Sequence, residues 1–358
     1  QRHLGLHESP QEVLVGTFDY YNRPNGSINC VHTGVGRCSF YILDLLMKNP
    51  KTIAANILLS MISIGGAVFI TNFVAERIGL GNPLLYRSDS LIGYRLAPNQ
   101  EEKRRNNAIV TVNSEGFRID PSSTASGTKS IVFVGDSVTY GGSYIDDKDL
   151  FSSIICRDYL NSACLNSGIN SWGTLNMARF IKYFDLYSTQ KVDRFILVVL
   201  PGDENRNLRS LSDTPYWDSK PVFPSAINEI ISYLTWQYFY RSLRSGTPPY
   251  PKASPKIKSA QLKESWVNLF RYIGESKAKV NLIITPPKKW FENPQYHLEE
   301  ISYYDKVVTD YATRFNSKSC NLYQLLHGNY SPSWYVDAVH LSESGHRSWA
   351  KVINECLQ

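Results

Sequence analysis

From residue 130 to the carboxyl terminus, short runs of continuous apolar, β-branched residues alternate with stretches of helical spacing. That alternation restricts the chain more than any other feature. SIVFVGDS (130–137), ACLNSG (163–168), RFILVVLPG (194–202) and KVNLIITPP (279–287) read as strands. DLFSSIICRDYL (149–160), TLNMARFIKYFDLY (174–187), LEEISYYDKVVTDYATRF (298–315) and SGHRSWAKVINECL (344–357) read as helices, and NLYQLL (321–326) as a last strand. A strand that is apolar at every position has both faces covered, so the pattern predicts an α/β fold: a three-layer α/β/α sandwich with a mostly parallel central sheet. Reactive groups in such sheets gather beyond the carboxyl ends of the strands. The excursion 203–277, rich in Pro, Tyr and Trp, reads as a cap-like insertion over that edge. Residues 78–129, where Gly93, Pro98 and Gly116 space short runs such as IVTV (109–112), read as an extended lead-in that wraps the domain.

Ahead of this lies a span of 24 residues without charge, 52–75. At a rise of about 1.5 Å per residue it reaches roughly 36 Å, enough to cross a hydrocarbon layer of ~30 Å. A buried core helix of that length usually carries charge on one side. A cleaved signal peptide has an apolar core of only ~7–15 residues and small residues at its cut, where this chain has Phe73 and Ala75. An uncleaved transmembrane anchor at 52–75 is therefore expected. Lys48 and Lys51 precede it, whereas Glu76 and Arg77 cancel just after it. The positive-inside rule then places a single-pass protein in the cell membrane with everything downstream extracytoplasmic, periplasmic or extracellular. Residues 1–46 read as a poorly ordered or upstream tail, with Met47 as a candidate initiator. The downstream part holds four cysteines, which permit three pairings in an oxidising compartment. Cys156–Cys164 and Cys320–Cys356 are the pairs expected, with four free thiols as the alternative.

Charge excludes some classes of function. Lys and Arg exceed Asp and Glu by 38 − 32 = 6, without long basic runs, which argues against a dedicated nucleic-acid binder. No Cys-x-x-Cys pair and no helical histidine pair with a carboxylate occurs, so neither a metal nor a cofactor is implied. GVGR (34–37) is too short for a phosphate loop and follows no credible strand.

Chemistry concentrates at strand ends. Gly135-Asp136-Ser137 follows IVFV directly, which lifts the Ser137 hydroxyl to the sheet edge, where it needs a base to become a nucleophile. Asp337-Ala-Val-His340 precedes the final helix. One tight turn lets Asp337 accept the Nδ1 proton of His340 and leaves Nε2 free as general base. His346 reads as an ordinary surface or packed residue. Together VFVGDSVTYG, NSGINSWGT (166–174) and DAVHLSESGH resemble, in order, three blocks of the SGNH, or GDSL-type, serine hydrolase superfamily, over residues 130–358.

The resemblance implies a flavodoxin-like sandwich and acyl-ester chemistry, with Ser137 attacking, His340 as base and Asp337 orienting it. It also implies oxyanion donors at the backbone amides of Ser137 and Gly168 and at an asparagine side chain. In that third place the chain departs from the family: PGDENRN (201–207) puts Gly202 where the asparagine belongs. Asn205 is the substitute candidate, the plainer reading being a helix cap. Trp172 reads as core rather than pocket wall. Trp236, Tyr238, Phe239 and Tyr240 suit either packing or a sugar or acyl site. The expected activity is hydrolysis of short acyl esters, acetyl by default, on a carbohydrate such as a cell-surface polysaccharide. An O-acyltransferase, a long-chain lipase or thioesterase, and a silent fold that binds glycan are the alternatives.

Overall fold

Period-two alternation within the apolar strands divides the domain into two cores. The computed structural model describes residues 50–123, 129–159, 162–240 and 255–358, with side chains at 239, 240 and 255–263 left out. The tail, Met47 and GVGR fall outside these. Two short strands, β1 (Tyr86–Asp89) and β2 (Gly93–Leu96), form a separate antiparallel pair. An eight-stranded sheet is built from β3 (Gln100–Lys103), β4 (Ile109–Val112), β5 (Arg118–Ile119), β6 (Lys129–Gly135), β7 (Ser162–Gly168), β8 (Lys191–Val199), β9 (Lys279–Ile284) and β10 (Cys320–Asn321). Its order is β10-β9-β8-β6-β7-β5-β4-β3. The five strands from β6 onward are mutually parallel, and the lead-in adds three antiparallel strands beside β7.

Val132, Val134, Leu197, Val199, Leu282 and Ile284 face one core, and Ile131, Phe133, Ile196, Val198 and Ile283 the other. The first core is closed by the helices Thr174–Lys182, Pro255–Gly274 and Leu298–Phe315. The second is closed by Phe151–Cys156, Leu322–Leu326 and Glu343–Leu357. The three layers expected from the alternation are present. Because β7 and β8 lie on opposite sides of β6, the chain reverses direction at β6, and Ser137 sits at its carboxyl end. That is the switch point where α/β sheets open a crevice.

Three sequence expectations need correction. NLYQLL is mostly helix, since the Asn321 side chain accepts a hydrogen bond from the Tyr323 amide and caps Leu322–Leu326. The lead-in 78–129 does more than wrap, because β3–β5 widen the sheet. The insertion 203–277 is not a cap throughout. Its last helix, Pro255–Gly274, is the β8-to-β9 crossover, burying Trp266, Leu269, Phe270 and Ile273 in the first core. The expected disulfides, Cys156–Cys164 and Cys320–Cys356, are both formed.

The uncharged span lies in one long helix, α1 (Pro50–Arg77), long and apolar enough to cross a membrane. Residues 50–63 belong to a separate unit and carry exposed side chains such as Leu58 and Met61. From Ile64 onward α1 belongs with the main body, and Asn72 and Ala75 are its buried residues.

Candidate active site

The turn after β6 demands glycine before it can present serine. A Cβ on Gly135 would fall 2.0 Å from Thr139 Oγ1 and 2.7 Å from the Val198 carbonyl. Asp136 then caps the short helical turn Ser137–Tyr140, its Oδ1 accepting from the Val138 amide at 2.9 Å. The Ser137 amide itself has no partner among the described residues. Gly168 lies against the same turn: its Cβ would come within 2.1 Å of the Tyr140 nitrogen, so β7 approaches the serine only because residue 168 has no side chain.

The histidine arrives on a loop held from two sides. The Lys288 amide, just beyond β9, donates to the Ala338 carbonyl at 2.9 Å. The Tyr144 hydroxyl donates to the Leu341 carbonyl at 3.1 Å. Within the loop, Asp337 Oδ1 accepts from the amides of Val339 and His340 at 2.9 and 2.8 Å. Its Oδ2 lies 2.7 Å from His340 Nδ1, and His340 Nε2 lies 2.8 Å from Ser137 Oγ. Residues 203 positions apart are thus brought into contact. Partial burial alone would raise the Asp337 carboxyl. The two amides and the imidazole outweigh that effect and hold it below the usual carboxylate range.

The other expected residues fare differently. The Gly168 amide is not free to donate to an oxyanion, because it already donates to Asn166 Oδ1 at 2.8 Å. Gly202, in the family asparagine's place, has a left-handed φ of 104°, and its amide is taken by Glu204 Oε2 and the Tyr304 hydroxyl, each at 3.1 Å. The Asn205 amide closes the turn Asp203–Asn205 onto the Gly202 carbonyl. No hydrogen bond engages its side chain among the described residues. Trp172 is fully buried and donates Nε1–H to the Tyr94 carbonyl, so it is core. Tyr238 is 69% exposed. The Phe239 and Tyr240 side chains lie outside the described set.

His346 is fully buried, stacked on Phe151, with Nδ1 accepting from the Phe151 amide at 3.2 Å. Burial, helped by the Arg118 charge, pushes its pKa down to about 3.

Sequence reasoning passed over three residues. Arg206 Nη1 reaches Asp136 Oδ2 (3.3 Å), the Trp172 carbonyl (2.7 Å) and Asp203 Oδ1 (2.8 Å), and so ties together the loops after β6, β7 and β8. Arg118 has no exposed surface. It donates to Asp147 Oδ1 and to the carbonyls of Tyr140, Gly142 and Ile145. Ser171 sits at φ 66°, a conformation non-glycine residues seldom adopt, and its Oγ lies 2.9 Å from the Tyr216 hydroxyl. A five-donor guanidinium suits a site of several carbonyls, but which carbonyls converge is a property of the fold. Ser171 carries no sequence signal at all.

No protein-family model matches the chain, and no curated protein does. Solved structures similar to it include a G-D-S-L family lipolytic protein from Veillonella parvula (15% identity, TM-score 0.38, covering 63% of this chain and 97% of that one). A lipase/acylhydrolase from Enterococcus faecalis matches at 16% identity and TM-score 0.38, over 63% of this chain and 94% of that one. An acetyl xylan esterase from Geobacillus stearothermophilus matches at 15% and 0.39, over 65% and 95%. At this level of likeness they add nothing to what the sheet order and the Ser137–His340–Asp337 contacts show directly.

Proposed function

We propose that the chain is a membrane-anchored, extracytoplasmic serine esterase that removes short acyl groups, acetyl by default, from a hydroxylated carrier such as a polysaccharide. The single observation that carries the reading is the unbroken relay from Asp337 Oδ2 to His340 to Ser137 Oγ, at 2.7 and 2.8 Å. His340 Nε2 takes the hydroxyl proton as Oγ attacks the ester carbonyl, and the carbonyl π electrons move onto oxygen. Collapse of that intermediate expels the alcohol, which receives the proton from His340, and leaves acyl-Ser137. Water, deprotonated by the same imidazole, then releases the acid. Asp337 fixes the tautomer and stabilises the imidazolium.

For the oxyanion we assign the uncommitted Ser137 amide and the Asn205 side chain. Secretion is supported by the Lys48 and Lys51 charges before the span and by the two disulfides.

One observation favours a silent, ligand-binding fold instead: the family asparagine is absent, and the amide of Gly202 in its place is consumed by Glu204 and Tyr304. Hydrolysis of p-nitrophenyl acetate by the full chain in detergent separates the two. We expect Ser137→Ala to abolish a rate that the unsubstituted chain shows well above background. Equal rates in both would eliminate the enzyme reading. A chain-length series should then fall from acetyl to octanoyl, whereas a long-chain lipase would rise.

A further inference from the structure

The span α1 does not leave the membrane alone. Residues 221–238, PVFPSAINEIISYLTWQY, contain one charged side chain, Glu229. That charge turns inward, accepting from the Gly81 amide and from Arg104. The exposed side chains are apolar or aromatic apart from Ser232: Val222 is 76% exposed, Phe223 64%, Ile231 54% and Tyr233 55%. Leu234 and Tyr238 are exposed beside them. Exposed apolar surface this contiguous marks a binding face.

Its position on α1 identifies what it faces. The Phe223 ring lies 6.5 Å from the Phe69 ring, and Phe69 is six residues, or about 9 Å, inside the span from Ala75. Whatever touches Phe69 stands at the depth of the acyl chains when α1 crosses a bilayer. Asn72, one of the few polar residues in the span, is also accounted for. It is 2% exposed, and its Oδ1 accepts from the amides of Ala226 and Ile227 at 2.9 and 3.3 Å, satisfying the open end of the helix Ser225–Thr235. Its Nδ2 donates to Glu76, which also accepts from the Ser225 hydroxyl. The polar end of the helix is therefore anchored on α1, and its apolar side is left facing outward.

We infer that residues 222–238 dock onto the bilayer that α1 crosses, with Val222, Phe223 and Ile231 among the acyl chains and Tyr233, Trp236 and Tyr238 at the headgroup level, where aromatic rings concentrate. The partner is a phospholipid surface, and the body is held to it at two points instead of one. This rests on the membrane-anchor reading of α1.

The full chain is reconstituted into vesicles of phosphatidylcholine and phosphatidylglycerol, with benzoylphenylalanine replacing Val222, Ile231, Ile64 or Tyr296 in turn. All four side chains are exposed, so the label is accommodated without repacking. Irradiation should attach radiolabelled phospholipid at Val222 and Ile231 within about threefold of the mid-span position Ile64, as interfacial burial implies, and at background level at Tyr296. Lipid adducts at Ile64 with only background at Val222 and Ile231 would overturn the proposal and leave the anchor standing. Covalent dimers of the chain in place of lipid adducts would overturn it in favour of a second copy. Background at Ile64 would remove the anchor reading and this inference with it.

Discussion

Asp337 is more than half exposed, yet every acceptor position facing the loop is engaged by Val339, His340 or the imidazole. A residue so placed contributes little packing, so its removal should be felt in chemistry and not in folding. Asp337→Asn should lower kcat by about 10³–10⁴, because the imidazole then favours the wrong tautomer, with no matching fall in the melting midpoint. Loss of one oxyanion donor is worth ~10²–10³ in rate, so on the proposed assignment of Asn205, Asn205→Ala should reduce kcat by that factor with KM little changed.

His346 makes a separate prediction about pH. Its folded pKa, about 3, lies below the unfolded value near 6.5, so its contribution is intact above pH 6.5 and is lost as pH falls toward 3. Between pH 7 and pH 5 that term costs about 2 kcal/mol. Asp147, Asp203 and Glu204, raised chiefly by burial, pull the other way at lower pH. The measurement is therefore a difference: His346→Gln should lose less stability than the unsubstituted chain between those two pH values in urea titrations. The Ser137–His340–Asp337 contacts were legible because serine and histidine stand beside strand-end turns that glycine and aspartate announce. The Gly168 amide was not, since a side chain two residues away, Asn166, takes it in three dimensions only.

At the scale of elements, the site depends on a strand of the lead-in, β5. Arg118 on β5 reaches the turn that follows Ser137 and gathers three carbonyls and Asp147. Removing one partner of a buried ion pair usually costs ~3–5 kcal/mol. Arg118→Met should show that loss in chemical denaturation, and replacing Asp147 by leucine as well should restore part of it. The apolar strands and their helices were legible from period and composition. β3–β5 were not, because strands of two to four residues carry too little pattern, and their pairing with β7 supplies what their own sequence lacks. NLYQLL failed for the opposite reason: its apolar residues suit strand or helix, and the Asn321 cap decides.

At the scale of the whole molecule, two disulfides brace the second core, and they differ in reach. Cys156–Cys164 closes 8 positions of chain and Cys320–Cys356 closes 36. In the chain-entropy description these are worth roughly 2.5 and roughly 4 kcal/mol. Replacing Cys320 and Cys356 with serine should therefore lower the urea midpoint more than replacing Cys156 and Cys164. Asp337 and His340 both lie within the larger ring. A protease that nicks this stretch would leave the severed piece covalently leashed to the body, so His340 could not diffuse away from Ser137. The cut would become visible on a gel only after a reductant had opened the ring.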